Sequence, residues 1–219
     1  MTDPRSLLIC FAVREEARPL LRRLGPRKSV AVVVTGMGHA NARRAVLREL
    51  ERQPVARVLT CGFAGGLNPE LERGAVVFDV DTAWPRPEAW LELGARPARF
   101  HCAGRVAITV AEKRWLREAT GDDAVEMESG VIRALCRERG LLSATVRVIS
   151  DTAHDDLPLD FNELLDARQR LSALKLAAAV AKSPRGLAGL LRLQRRTSDA
   201  ATRLASVLAR WLDTEVPGD

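Results

Sequence analysis

Short apolar runs alternate along the chain with longer segments in which apolar residues recur at helical spacing. The apolar runs predict strands at 6–13, 29–34, 56–61, 75–79, 106–109, 124–127 and 144–149. The amphipathic segments predict helices at 14–24, 40–52, 112–120 and 130–138. This alternation indicates a three-layer α/β/α domain around a central mixed, mostly parallel sheet. The run at 29–34 is typical of a strand covered on both faces, and 144–149 is expected to close the sheet.

Three segments do not follow the alternation. Residues 62–66 are rich in glycine and predict a loop after the third strand. Residues 84–103 are rich in proline and tryptophan, and we expect a loop with short strands there. The C-terminal part predicts two helices, 162–182 and 186–212, separated at Ser183-Pro184. We interpret 160–213 as a helical extension of a single domain that spans residues 1–219.

The composition narrows the class of protein. A chain of 219 residues can bury a substantial core, and no run of 18 apolar residues predicts a membrane span. The N-terminal residues lack the layout of a signal peptide, so a cytoplasmic protein is expected. The four cysteines are scattered without a C-x-x-C pair, and neither they nor the three histidines show metal-ligand spacing. The sequence therefore predicts reduced thiols and no metal site.

The net charge of +6 comes almost entirely from arginine. These arginines alternate with acidic residues along the predicted helices, tyrosine is absent and other aromatic residues are scarce. The pattern favours a solvated helical surface over a nucleic-acid interface. An anionic substrate would also be attracted by such a field.

Acidic residues follow two neighbouring strands of the predicted sheet. Glu126 and Glu128 end the short strand at 124–127, a helix follows, and the next strand ends in Ser150-Asp151. The ends of strands in open α/β sheets are where ligands bind, so we expect these carboxylates to meet at one edge.

This segment, with VEMES at 125–129 and Ser-Asp 23 positions after Glu128, resembles the nucleoside phosphorylase and nucleosidase family. It is most similar to the methylthioadenosine/S-adenosylhomocysteine nucleosidases, and the resemblance covers about residues 6–165. It implies an enzyme that cleaves the N-glycosidic bond of a 5′-substituted purine nucleoside by attack of water at C1′. Adenine is the base by analogy only. The resemblance implies no cofactor, and a homo-oligomer, commonly a dimer.

The resemblance also implies roles for the residues of this motif. Asp151 would donate a proton to N7 of the purine, beside Ser150, which a carboxyl group does near neutral pH only where burial favours its protonated form. Glu128 would bind the ribose hydroxyls, because a carboxylate accepts two hydrogen bonds from a diol. Glu126 lies two residues away, and one of the two glutamates is expected to face the pocket and the other its rim. Met127 would pack against the sugar or belong to the core.

The nucleophile side depends on the loop after the first strand, AVREEARPL. The resemblance aligns Glu16, or else Glu15, with the glutamate that orients the attacking water. Two carboxylates at this place would repel a phosphate dianion, which favours water over phosphate as the nucleophile. Arg147 lies in an otherwise apolar strand and needs a carboxylate or another anion as partner if buried. The resemblance implies that it is a neighbour of the nucleophile. The alternative is an edge strand with Arg147 in solvent.

The resemblance assigns two further segments to substrate binding. The glycine-rich turn contributes Phe63, Ala64 and Gly65, although nucleosidases often have a small hydroxyl residue in place of Phe63. Phe161, ten residues after Asp151, would close over the 5′ substituent or begin the core of a helix. The segment 35–42 reads G-x-G-x-x-N after the second strand, and we reject a dinucleotide-binding motif there.

Three alternatives stay open. The basic, leucine-rich helices of the tail resemble the hopanoid-associated phosphorylases, which would imply a phosphate-dependent phosphorylase acting on adenosylhopane. Arg192, Arg195 and Arg196 flank apolar positions and predict either contact with an anionic membrane or a packing helix with a solvated basic side. The alternative from another class is a nucleoside-binding protein without catalysis.

Overall fold

Apolar strands build one mixed sheet in the computed structural model, which describes residues 6–25, 27–164, 166 and 184–216. The strands are β1 (Leu7–Phe11), β2 (Val30–Val34), β3 (Arg57–Gly66), β4 (Val76–Val80), β5 (Arg96–Pro97), β6 (Phe100–Cys102), β7 (Ala124–Glu126) and β8 (Leu142–Asp151). Their order is β2-β1-β3-β8-β4-β5, with β7 pairing the end of β3 and β6 pairing β7. Strands β2, β1, β3 and β8 run parallel to one another, whereas β4 runs antiparallel to β8 and β7 runs antiparallel to the end of β3.

Helices cover both faces of this sheet. They are α1 (Arg14–Leu21), α2 (His39–Arg52), α3 (Glu88–Glu92), α4 (Val110–Thr120), α5 (Ser129–Glu138), α6 (Phe161–Leu164) and α7 (Pro184–Glu215). Apolar residues of α1 and α7 pack on one face, and those of α2 and α5 pack on the other. The predicted three-layer α/β/α fold with a mixed, mostly parallel sheet is therefore confirmed.

The period-two alternation of β1 separates the two core layers. Leu7, Ile9 and Phe11 point into the cluster formed with α1 and α7. Leu8 and Cys10 point into the cluster formed with α2 and α5. Helices cover both faces of the strand, so every residue of β1 is buried. This explains why the run has no polar positions.

Strand order differs from the prediction at two places. The run at 144–149 was expected to close the sheet, but β8 lies at its centre between β3 and β4. The run at 29–34 forms the edge strand β2, which contacts both core clusters but stays only half-buried. Strand β2 lies at the edge of the sheet because it pairs with β1, whose other side is taken by β3.

Two predicted boundaries are wrong. The glycine-rich segment 62–66 is not a loop, because β3 continues through it and pairs with β8 as far as Gly65 and Asp151. The run at 106–109 is not a strand. The side chain of Asn162 instead donates to the carbonyl of Val106 at 3.0 Å and accepts from its N–H at 2.9 Å. This side chain satisfies the backbone groups that a neighbouring strand would otherwise pair.

The tryptophan-rich segment 84–103 holds short strands, as predicted, but it also contains α3 and contributes to the core. Trp84 and Trp90 are buried and stack on Trp211 of α7, with ring centroids 6.1 and 4.6 Å away. These contacts fix the C-terminal helix against the body of the sheet.

Helix α7 confirms the second predicted C-terminal helix, although it begins two residues earlier and is longer. The first one, predicted at 162–182, falls mostly on residues 165 and 167–183, which lie outside the described residues. Within the described ranges, no helix is long and apolar enough to cross a membrane.

Candidate active site

A cavity of about 250 Å³ opens at the carboxyl ends of β1, β3 and β8. This edge is where parallel strands of an α/β sheet expose backbone and side chains to a ligand. Ten of the eleven predicted site residues line the cavity, and Arg147 is the exception. The ten are Glu16, Phe63, Ala64, Gly65, Glu126, Met127, Glu128, Ser150, Asp151 and Phe161.

Asp151 is the last residue of β8 and is buried, with only 7% of its surface exposed. One carboxylate oxygen, Oδ1, accepts from the Ser150 hydroxyl at 2.6 Å. The other, Oδ2, accepts from the ammonium group of Lys113 at 2.5 Å. The expected buried acid is thus paired with a buried cation that the sequence reasoning did not identify.

Arg147 lies below the cavity and does not line it. Its side chain is 1% exposed. The guanidinium donates to the carboxylate of Glu126, to Cys61 O at 2.9 Å and to Thr60 Oγ1 at 2.9 Å. The anionic partner required by the sequence argument is therefore Glu126, and β8 is a central strand, not an edge strand. Arg147 can act on a ligand only through the carboxylates above it.

Glu126 is fully engaged within the protein. Its Oε2 accepts from the N–H groups of Glu128 and Ser129 at 3.0 and 2.8 Å as well as from Arg147, and its Oε1 accepts from the Ser129 hydroxyl at 2.6 Å. Burial alone would raise the pKa of Glu126, but Arg147 and these hydrogen bonds outweigh it and lower the pKa overall. Glu126 therefore holds Arg147 in place as a permanent anion.

Glu128 keeps acceptor capacity for a ligand. Its Oε1 accepts from the N–H of Gly38 at 2.9 Å, and its Oε2 lies 3.8 Å from the Arg147 guanidinium. Burial raises the pKa of Glu128 to about 7; Arg147 opposes this shift, whereas the negative charge of Glu126 adds to it. Of the two glutamates left open by the sequence, Glu128 is the one with lone pairs free for hydroxyl groups.

Glu16 comes from the first turn of α1 and reaches the cavity floor. Its carboxylate accepts from the N–H groups of Ala12, Val13 and Phe63 at 3.0, 3.1 and 2.8 Å. Burial raises the pKa of Glu16 above its ordinary value, while Arg147 and the three N–H donors oppose the shift. Glu15 is exposed and lies outside this cavity, so the structure brings Glu16, not the alternative, to the site.

The remaining wall is mostly apolar. Met127 and Phe161 line it, so neither is purely a core residue, and His154 is exposed outside it. Sequence reasoning did not assign ten further residues of this wall to the site. These are Ala12, Val13, Met37, Arg105, Val106, Ala107, Val125, Leu157, Leu193 and Thr197.

Two of the missed residues had no local signal. Leu193 and Thr197 lie on α7, and only the docking of that helix brings them to the cavity. Lys113 left a weak signal, because it is three residues before the buried Leu116 on the same face of α4. Across the described ranges, no group of three or more His, Cys, Asp or Glu side chains is arranged to hold a metal ion.

Comparison with known proteins identifies the family. The sequence model of the phosphorylase superfamily matches residues 13–82 and 100–183. The chain belongs to the phosphorylase superfamily. This membership confirms the resemblance stated from the VEMES and Ser-Asp motifs, and it confirms an enzyme of the nucleosidase and nucleoside phosphorylase kind.

Individual relatives of this superfamily member agree with the assignment. The 5′-methylthioadenosine/S-adenosylhomocysteine nucleosidase of Shewanella halifaxensis is 28% identical over 185 residues, covering 69% of this chain and 80% of that protein. The protein of the same description from Bacillus thuringiensis is 26% identical over 173 residues, covering 63% and 74%.

Solved structures show the same fold at lower identity. The nucleosidase of this kind from Campylobacter jejuni superposes with a TM-score of 0.69 at 18% identity, covering 95% of this chain and 98% of its own. The futalosine hydrolase of Helicobacter pylori gives a TM-score of 0.68 at 16% identity, covering 94% and 97%.

Proposed function

We propose that this superfamily member hydrolyses the N-glycosidic bond of a 5′-substituted adenosine, such as methylthioadenosine or S-adenosylhomocysteine, and releases adenine. The observation that carries the proposal is the convergence of Asp151, Glu128 and Glu16 on one cavity. An acid, a diol acceptor and a water-orienting carboxylate are the groups that this reaction needs. The descriptions of the curated relatives support the same chemistry.

The reaction distributes its charges over these three groups. Protonated Asp151 gives its proton to N7 as the electron pair of the C1′–N9 bond moves onto the purine. Glu128 accepts hydrogen bonds from the ribose hydroxyls and so fixes C1′ in the cavity. Glu16 orients a water molecule towards C1′ and takes its proton as the C–O bond forms.

An apolar 5′ substituent suits the wall of the cavity. Val13, Met37, Leu157, Phe161 and Leu193 supply aliphatic, thioether and aromatic surface from separate elements. Burial of a methylthio or alkyl group against them would stabilise binding by the hydrophobic effect. Phe161 contributes to this closure in the proposal.

The first test is the exchange Asp151→Asn. An amide cannot donate a carboxyl proton, so release of adenine from methylthioadenosine should fall by about 10²- to 10⁴-fold. Free base is measured by chromatography, and circular dichroism checks the fold. Asp199→Asn, an exposed acid-to-amide exchange on α7, is the matched control and should keep full activity.

Unchanged turnover in Asp151→Asn would remove the acid role. If no adenosine derivative or futalosine releases base while nucleosides still bind, the non-catalytic binding protein is supported instead.

The second test concerns the nucleophile. Glu16, Glu126 and Glu128 surround the single guanidinium of Arg147, and this excess of carboxylates disfavours a phosphate dianion. Adenine release should therefore proceed at the same rate in phosphate-free buffer, with the free sugar as product. Strict phosphate dependence and a sugar 1-phosphate product would instead support the phosphorylase of hopanoid biosynthesis.

Two predictions about partners accompany the proposal. A homodimer is expected from the family resemblance. The second prediction is contact with an anionic membrane through the basic side of α7. Exposed residues on this side are Leu191, Arg192, Arg195 and Arg196.

A further inference from the structure

Lys113 is a fully buried lysine beside the proposed acid. It is the fourth residue of α4. The start of this helix is capped by Thr109, whose Oγ1 accepts from the N–H of Glu112 at 3.1 Å. Its ammonium group donates to Asp151 Oδ2 at 2.5 Å, to Thr152 O at 2.8 Å and to Asp155 O at 2.7 Å. A buried lysine with this set of partners is held in one position.

The three oxygen acceptors around Lys113 match the charged form of its amino group. An ammonium group has three N–H donors, and Lys113 meets three oxygen acceptors. A neutral amine would offer two donors and turn a lone pair towards one of those oxygens. The arrangement therefore suits the charged form, directly against the carboxylate of Asp151.

Glycine at position 65 leaves room for the pair. A Cβ atom there would lie 3.2 Å from Asp151 Oδ2 and 3.8 Å from Lys113 Cε. The same region of β3 carries the bulge that brings Gly65 opposite Asp151. The ion pair is thus built by three separate elements, β3, β8 and α4.

Other charged groups near Asp151 are occupied elsewhere or exposed. Arg73 pairs with the carboxylate of Asp155 at 2.7 Å, and Asp156 accepts from the N–H of Val110 at 2.7 Å. Arg105 pairs with Glu112, and Arg192 and Arg196 of α7 are exposed around the neighbouring recess. Among the described residues, Lys113 is the only cation in a hydrogen bond with Asp151.

We infer that Lys113 is a positioning residue that acts through Asp151, an inference that rests on the proposed nucleosidase function. It fixes the orientation of the carboxyl group and stabilises the carboxylate that remains after the proton has passed to N7. The O–H bond of Asp151 breaks, the N7–H bond forms, and the negative charge left on Asp151 faces the ammonium group. Asp151 regains its proton from solvent before the next turnover.

A residue that acts through another should affect the two kinetic constants differently. Lys113 does not line the cavity. Its loss should therefore lower kcat with little effect on KM.

The test is Lys113→Gln, which removes the charge but keeps an amide donor. The maximal kcat should fall by about 10- to 100-fold, as for a lost charge-assisted hydrogen bond. KM should change less than kcat, because Lys113 does not touch the substrate. Arg114→Gln, the exposed neighbour on α4, is the control and should leave both kcat and KM unchanged.

Each outcome decides the inference. A folded Lys113→Gln enzyme with unchanged kcat, or with a rise in KM as large as the fall in kcat, overturns it. If Lys113→Gln does not fold, Lys113→Arg decides: the retained cation should keep kcat close to that of the wild type, and a folded Arg enzyme with a large loss of kcat overturns the inference. Full activity of Asp151→Asn would refute the proposed function itself, whereas an inactive Asp151→Asn with an unchanged kcat in Lys113→Gln refutes only the role of Lys113.

Discussion

The guanidinium of Arg147 lies among three carboxylates beneath the cavity, those of Glu16, Glu126 and Glu128. Arg147 bonds Glu126 directly, and this contact with the Ser129 hydrogen bonds lowers the pKa of Glu126 in spite of its burial. Burial raises the pKa of Glu16 and of Glu128, and the opposing charge of Arg147 does not outweigh it there. One buried arginine thus creates a permanent anion and two carboxyl groups that change protonation state more readily.

The protonation of Glu128 predicts how nucleoside binding depends on pH. Because its pKa is raised to about 7, Glu128 is protonated below that pH and accepts hydrogen bonds fully only above it. The affinity of methylthioadenosine should rise as the pH increases through 7. Calorimetry on the inactive Asp151→Asn protein measures this without turnover.

The control for this titration is the double variant Asp151→Asn with Glu128→Gln. Glutamine has no titratable group, so the rise in affinity between pH 6 and pH 8 should disappear. A rise of the same size in both proteins would show that another group binds the ribose.

At the scale of elements, β3 is the strand on which the site depends. The strand continues through Gly62 and Gly65, which pair with β8, and ends at Gly66, which pairs with β7. Glycine is required at position 62 for two reasons. Its φ is +148°, and a Cβ atom there would lie 2.6 Å from both Arg147 Nη1 and Glu16 Oε1.

The exchange Gly62→Ala should therefore displace Glu16 and Arg147. We expect kcat/KM to fall by about 10²-fold, since shifts of about 1 Å in catalytic groups have effects of this size. Kinetics with methylthioadenosine and a thermal melt measure activity and stability. Gly25→Ala is the control, because no atom lies within 4 Å of its Cβ position, and it should keep wild-type kinetics.

Local pattern predicted the regular elements but not all of their ends. The apolar runs of β1 and β8 and the amphipathic stripe of α5 gave the right type, because alternation and helical spacing depend only on neighbours in sequence. The glycines of 62–66 indicated a loop, yet pairing with β8 keeps that backbone extended. The run at 106–109 indicated a strand, yet the side chain of Asn162 in α6 binds Val106 in place of a strand.

At the scale of the whole molecule, α7 belongs to the core and to the site. Trp211 stacks on Trp90 and Trp84, while Leu193 and Thr197 of the same helix line the cavity. Residues more than 100 positions apart in the chain are thus fixed against each other. The C-terminal helix couples the stability of the fold to the shape of the cavity.

Loss of this stack should be measurable. Trp211→Ala should lower the free energy of unfolding by about 3–5 kcal/mol, as for other large-to-small core exchanges. Urea denaturation followed by circular dichroism gives the value. Trp115→Ala, whose side chain is 64% exposed on α4, is the matched control and should stay within about 0.5 kcal/mol of wild type. Equal effects would mean that the stack does not stabilise the protein.

The sequence by itself determined the strand–helix order and the positions of Glu126, Glu128 and Asp151 at strand ends. These features follow from periodicity and from short fixed spacings along the chain. Only the tertiary structure decided which carboxylate pairs with Arg147, that Lys113 faces Asp151, and that α7 closes the cavity. Each of these depends on contacts between separate elements, because a buried charge takes its partner from whatever the fold places beside it.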